Sequence, residues 1–113
     1  FEGKYDAARD ELERALAIDP SNSAAQNDLG SAFFLGGKID ESIPHYEAAL
    51  AIDPDFVLAH NNLASALAVR GKVDEAALHY GRALQLDPGN AEARGQLEKL
   101  LRADPSLRDR TSP

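Results

Sequence analysis

Three Asp-Pro pairs, ending at Pro20, Pro54 and Pro88, recur at intervals of 34 residues. A fixed period of that length constrains the fold more than any local propensity, because it calls for one supersecondary unit stacked on copies of itself. Aligning on it superimposes Gly3, Gly37 and Gly71; Lys4, Lys38 and Lys72; Asp6, Asp40 and Asp74; and Ala15-Leu16, Ala49-Leu50 and Ala83-Leu84. The complete units, Ser23 to Phe56 and Val57 to Asn90, also share Asn27/Asn61, Leu29/Leu63, Ser31/Ser65, His45/His79 and Tyr46/Tyr80.

Within a unit the apolar residues return at helical intervals, as in Leu29, Phe33, Ile43, Tyr46 and Leu50, so each unit reads as a helical hairpin. The break falls at Gly36-Gly37-Lys38 and Arg70-Gly71-Lys72, where glycine supplies the positive φ that ends a helix. Asp40 and Asp74 are expected to cap the second helices. Those helices end before Asp53-Pro54 and Asp87-Pro88, because the residue before proline is pushed out of the α region. Counted from an Asp40 cap, Pro44 falls in the first turn, where a missing amide costs least. The resulting map has six helices, near 6–18, 23–36, 40–52, 57–70, 74–86 and 91–103. The last carries Ala93, Leu97, Leu100 and Leu101 on one side, with Glu92, Glu98, Lys99 and Arg102 elsewhere, and reads as a cap with a wet outer face. Asp104-Pro105 is off the period, and residues 105–113 are expected to be a disordered tail. Residues 1–104 thus form one domain: a partial repeat at 1–22, repeats at 23–56 and 57–90, and a capping helix at 91–103. Phe1 in place of an initiator suggests a fragment or processed chain.

At 113 residues and 43% hydrophobic content the chain can bury a core without staples. It has no Cys, hence no disulfide, thiol nucleophile or cysteine-ligated metal. A formal charge of −7 argues against a nucleic-acid partner, which needs clustered Lys and Arg. No apolar run approaches the roughly 20 residues needed to span a bilayer, so no membrane insertion is expected. These features describe a soluble, cytoplasmic chain or a soluble part of a longer protein.

The pattern resembles the tetratricopeptide repeat. The second unit supplies Leu29-Gly30, Phe33, Gly37, Tyr46, Ala49 and Pro54 of that signature, with Gln26 at the first aromatic position; the third supplies Leu63-Ala64, Leu67, Gly71, Ala76, Tyr80, Ala83 and Pro88, with His60 there. Gly30, Ala64, Ser42 and Ala76 are small, which lets paired helices approach closely. The resemblance covers about nine-tenths of the chain. It implies an all-α, right-handed superhelical stack of antiparallel hairpins, about two and a half repeats plus a C-terminal capping helix. The first unit lacks its first helix, so Ala8, Leu12 and Ala15 should be left partly uncovered, as a cut face or a self-association surface.

His45 and His79 share a repeat position, but equivalent helices stack on the order of 10 Å apart, whereas zinc needs each nitrogen about 2 Å away. Neither metal nor cofactor is expected, and both are read as surface histidines, with His60 packing inside its hairpin. The aspartates adjoin turns or begin helices, and no nucleophile motif or phosphate loop occurs, so the chain reads as non-catalytic.

The resemblance places the binding wall on the first helix of each hairpin. It would comprise Asn27, Asp28, Ser31, Phe34 and Leu35, with Ala24, and then Leu58, Asn61, Asn62 and Ser65, with Ala68 and Val69; Lys99 joins from the capping helix. Asn suits a groove because its amide both donates and accepts. Asn62 holds the position of the Asn ladder in the array of the O-linked N-acetylglucosamine transferase, although Asp28 stands one repeat earlier. The Lys, Asn and Arg with which chaperone-binding members grip a C-terminal carboxylate are not matched at Asn27, Asp28, Asn61 and Asn62, so an acidic tail is expected to bind weakly. The implied function is a scaffold holding a peptide or partner segment. The alternatives are a homo-oligomer assembled through the exposed first helix, or the substrate-presenting arm of a larger enzyme such as a glycosyltransferase.

Overall fold

The computed structural model describes residues 2–111; Phe1, Ser112 and Pro113 lie outside them. The described residues form seven helices and no strand: α1 (Glu2–Ile18), α2 (Ser23–Leu35), α3 (Ile39–Ile52), α4 (Val57–Val69), α5 (Val73–Leu86), α6 (Ala91–Ala103) and α7 (Leu107–Thr111). The tightest pairs are α2 with α3 and α4 with α5, the two complete hairpins. α2 also meets α4, more closely than α3 meets α5. Tighter spacing on one side curves the stack and makes the face of the first helices its inner wall. The molecule is accordingly elongated, 43 × 27 × 21 Å.

The hairpin turns are set by glycine. Gly37 and Gly71 take φ of +83° and +80°, and each turn closes with a crossed pair of bonds. The Lys38 amide donates to the Phe33 carbonyl at 2.8 Å and the Gly37 amide to the Phe34 carbonyl at 3.0 Å; the Lys72 and Gly71 amides do the same to Leu67 and Ala68 at 2.9 and 3.0 Å. This arrangement satisfies carbonyls that a helix end otherwise leaves open. Gly3, the counterpart of Gly37 and Gly71, instead lies inside α1. The turns between repeats use the Asp-Pro pairs: Asp19 accepts from the Ser21 amide at 3.1 Å, and Asp53 from the Asp55 amide at 3.2 Å.

The core runs through the middle of the stack: Tyr46, Leu63, Leu67 and Tyr80 are buried among Ala64, Ala66, Ala76, Ala83 and Ala93. Alanine at so many contacts is what allows adjacent helices to close on each other. Gly30 takes this furthest, since a Cβ there would lie 2.7 Å from the Tyr46 ring.

Three expectations from the sequence need correction. Asp40 and Asp74 do not cap their helices; Lys38 and Lys72 occupy the cap positions without a side-chain bond, and the carboxylates sit in the first turn, where the helix dipole still favours them. Because α3 starts at Ile39, Pro44 lies beyond the first turn, and the helix runs through it with the loss of one amide donor. The tail is ordered at least to Thr111. Leu107 is fully buried, and the Asp104 carboxylate accepts from the Ser106 amide and hydroxyl at 3.2 and 2.7 Å. Arg110 bridges Asp74 and Asp104 at 3.0 and 2.6 Å, and this contact holds the Asp104 carboxyl below its usual value. The register explains why: α6 and α7 begin 34 residues after α4 and α5, so they are the first helix and opening turn of a fourth unit. At the preceding junction Arg70 pairs with Asp40 at 2.9 Å. Here Asp104 holds Arg70's register position and faces Asp74, and Arg110 neutralises both.

Candidate peptide-binding groove

On the inner wall, Ser31, Phe34 and Leu35 of α2, Tyr46 of α3, Asn62 and Ser65 of α4 and Glu92 of α6 surround a cavity of about 300 Å³. Its serines each belong to a repeated pair: the Ser31 hydroxyl lies 3.1 Å from the hydroxyl of Tyr46, which also lines the cavity, and that of Ser65 lies 2.8 Å from that of Tyr80 behind it. Burial pushes both phenols above the usual tyrosine value; the serine bonds oppose this, and the charges of Asp28 at Tyr46 and Glu92 at Tyr80 add to it. Both therefore remain neutral hydroxyls at physiological pH, able to donate as well as accept. The carboxylates of Asp28 and Glu92 thus act on the two hydroxyls of the wall.

A second cavity, of about 610 Å³, adjoins the first through Ser31 and Leu35 and is lined by Tyr5, Ala8 and Leu12 of α1 together with Asp28 and Ala32 of α2. Ala8 and Leu12 are the register counterparts of Ser42 and Tyr46, which in the next repeat are covered by α2.

Of the residues assigned to the groove from sequence, Ser31, Phe34, Leu35, Asn62 and Ser65 come together there and Asp28 stands on the adjoining wall. Asn27 and Asn61 do not. Each is 1% exposed and joins one repeat to the next: the Asn62 amide donates to the Asn27 carbonyl oxygen at 2.9 Å, and the Asn61 amide to that of Asn90 at 3.2 Å. Asn90 also caps α6, accepting from the Ala93 amide at 2.9 Å. The Asn61 carbonyl oxygen is buried without a partner among the described residues; one repeat on from Asn62 the register position is Gln96 rather than a second Asn. Leu58 is half exposed and Lys99 exposed on α6, and neither lines this cavity.

Sequence reasoning missed Tyr46, taken as core, and Glu92, placed on the outer face. The period held the signal for Glu92, which follows Ala24 and Leu58 at intervals of 34.

The histidines couple within hairpins rather than between them. His45 stacks on Phe33, centroids 5.3 Å apart, and bonds Gln26 at 2.9 Å. In the next repeat the Nδ1 atoms of His60 and His79 are 3.0 Å apart, and His60 Nε2 donates to the Pro54 carbonyl at 2.8 Å. With that proton on Nε2, a neutral His60 accepts from His79. Burial lowers the His79 value, His60 lowers it further, and Glu75 opposes; burial likewise lowers His45, against Glu13. His45 and His79 are thus half-buried hairpin ties, not surface residues.

An all-helical stack with glycine-set hairpins, buried alanine contacts and an inner wall defines a helical-repeat protein. The profile of the tetratricopeptide repeat matches residues 2–55 and 36–91, and the chain belongs to that family. Among solved structures it is similar to the first tetratricopeptide domain of Spaghetti (RPAP3) bound to the HSP90 peptide SRMEEVD, with 30% identity over 90% of this chain and 81% of that one and a TM-score of 0.86. The first such domain of human RPAP3 gives the same identity and TM-score over 96% and 85%. The second domain of human RPAP3, in complex with the HSP70 peptide SGPTIEEVD, gives 28% identity over 88% and 82%, with a TM-score of 0.81. No curated protein sequence matches the chain. Among the described residues no helix is long and apolar enough to cross a membrane.

Proposed function

We propose that the chain is a non-catalytic capture module whose inner wall, built by α2, α4 and α6, holds an extended or helical segment of a partner protein. The observation that carries this reading is the cavity where all three helices converge, with apolar walls at Phe34 and Leu35 and hydrogen-bonding groups at Ser31, Tyr46, Asn62 and Ser65. Spaced polar groups over an apolar floor suit a peptide, whose backbone needs partners and whose side chains need cover. The similar RPAP3 domains hold peptides in their structures, which supports the same use here.

The test is capture from lysate with the native chain, with Ser65→Lys, which projects a long side chain into the groove, and with Glu47→Lys on the exposed outside of α3. Lys99 already occupies the register position of Ser65, so the repeat tolerates lysine there. Loss of the captured protein with Ser65→Lys alone supports the groove; equal capture by all three moves the site elsewhere.

A second reading rests on the 610 Å³ cavity, whose apolar floor at Ala8, Leu12 and Ala32 fits a helix of a second copy. Sedimentation velocity with the native chain and Leu12→Lys decides it: concentration-dependent association abolished by the substitution supports a homo-oligomer, and a monomer throughout ends it.

A further inference from the structure

The charges around the groove favour one class of ligand. Among the described residues the cavity's sole charged lining residue is Glu92, and Asp28 carries a second carboxylate on the wall around Ser31 and Leu35. Asp28 is the register counterpart of Asn62, and Glu92 that of Ala24 and Leu58, so carboxylates stand at the two ends of a wall whose middle is neutral. Lys99 and Arg102 lie on α6 outside the cavity, and Arg102 pairs with Glu98 at 3.8 Å. Lys4 lines the neighbouring cavity, together with Glu11 and Asp28.

A volume of about 300 Å³ is room for one long side chain, and the floor under it is apolar. We propose that the groove selects a partner segment carrying a lysine or arginine, its aliphatic stem on Phe34 and Leu35 and its cationic head at Glu92, with Asp28 adding negative charge farther along the wall. A long stem with a charged tip matches a surface that is apolar below and anionic at its edge. Tyr46, Asn62, Ser31 and Ser65 complete the head group's shell, since each offers an oxygen to a donor. The net charge of −7 would also speed encounter with a basic segment. This specificity rests on the groove reading above. It is the reverse of what an acidic tail such as SRMEEVD would require.

Three fluorescein-labelled, capped nonapeptides sharing a Gly-Ser-Leu frame and differing only in a central Arg, Gln or Glu are titrated at low salt and followed by anisotropy. The Arg peptide should bind on the order of tenfold tighter than the Gln peptide, and the Glu peptide weakest. Glu92→Gln should remove about five- to tenfold of the Arg advantage and leave the Gln peptide unchanged, whereas Glu98→Gln, the same change of charge outside the cavity, should do nothing. Ser65→Lys should abolish binding of all three; Leu35→Lys, at a position 62% exposed, serves the same purpose if Ser65→Lys loses its helical signal. Equal affinity for the three peptides, still abolished by the blocking variants, overturns the charge specificity and leaves the groove standing. Binding that survives both blocking variants overturns the groove itself, and absence of binding by any peptide overturns both.

Discussion

The repeats at 23–56 and 57–90 share a backbone plan and solve the same contacts with different side chains. Where the earlier repeat packs Gly30 against Tyr46, the later one has Ala64 near Tyr80. Where Gln26 accepts from His45, His60 meets His79 and also ties down the Pro54 carbonyl. Asn22 caps α2 through its side chain, while Phe56 leaves α4 without a side-chain cap. Asn27 receives a donor from the following repeat, while Asn61 keeps one buried oxygen unpaired. The difference teaches that the period fixes where a contact occurs, and neighbours on either side decide how well it is satisfied. The later repeat buries more of its first helix, and so tolerates a missing cap and an orphaned oxygen.

The comparison can be broken most forcefully at its matched leucines. Leu29 and Leu63 are each 2% exposed, and replacing either by alanine should cost about 3 kcal/mol in urea unfolding, with Leu63 the costlier because it lies in the central cluster. A larger loss at Leu29 would put the weight of the core in the earlier repeat. Gly30→Ala should destabilise by about 1–3 kcal/mol despite its gain in helix propensity, because the new methyl meets the Tyr46 ring. Ala64→Gly, the reciprocal change, should lose about 1–2 kcal/mol, through helix propensity and the loss of a buried methyl. Gln96→Asn should gain about 1 kcal/mol by supplying the donor that Asn61 lacks, giving the later junction the bond that Asn62 gives the earlier one; an unchanged midpoint would mean that the oxygen is satisfied by other means.

The smallest effect is in pH. His45 and His79 both have values lowered below the ordinary 6.5, so the unfolded chain takes up protons more readily than the folded one. The stability they contribute is therefore full above about pH 6.5 and is lost as pH falls through their lowered folded-state values. His60→Gln, which copies the earlier repeat's arrangement, should make that fall shallower in thermal melts between about pH 7.5 and about pH 5. A steeper fall would show that His60 protects its partner.

The helices were legible because a 34-residue period, Asp-Pro pairs and glycines mark every turn except the last. There Asp104-Pro105 breaks the spacing, although Leu107 keeps the register of Ile39 and Val73. Repeated turn residues do not reveal a helix whose matching features are one apolar position and the acidic Asp109, in register with Glu41 and Glu75. The inner wall was half legible. Ser31, Phe34, Leu35, Asn62 and Ser65 follow from the family resemblance, whereas Asn27 and Asn61, assigned to the wall in the same way, face the next repeat instead. One position along a helix turns a side chain by about 100°, enough to move an amide from groove to junction, and residue type alone cannot distinguish the two. Alanine replacement of Asn27 or Asn61 consequently tests stability rather than capture.

The most direct test of the account is amide hydrogen exchange of the chain with and without the Arg-centred nonapeptide. Added protection along α2, α4 and α6, centred on Ser31, Asn62 and Glu92, with α3 and α5 unchanged at their exposed positions, is the expected result. Protection confined to α3 and α5, or to the outer face of α1, would contradict the inner wall as the binding surface.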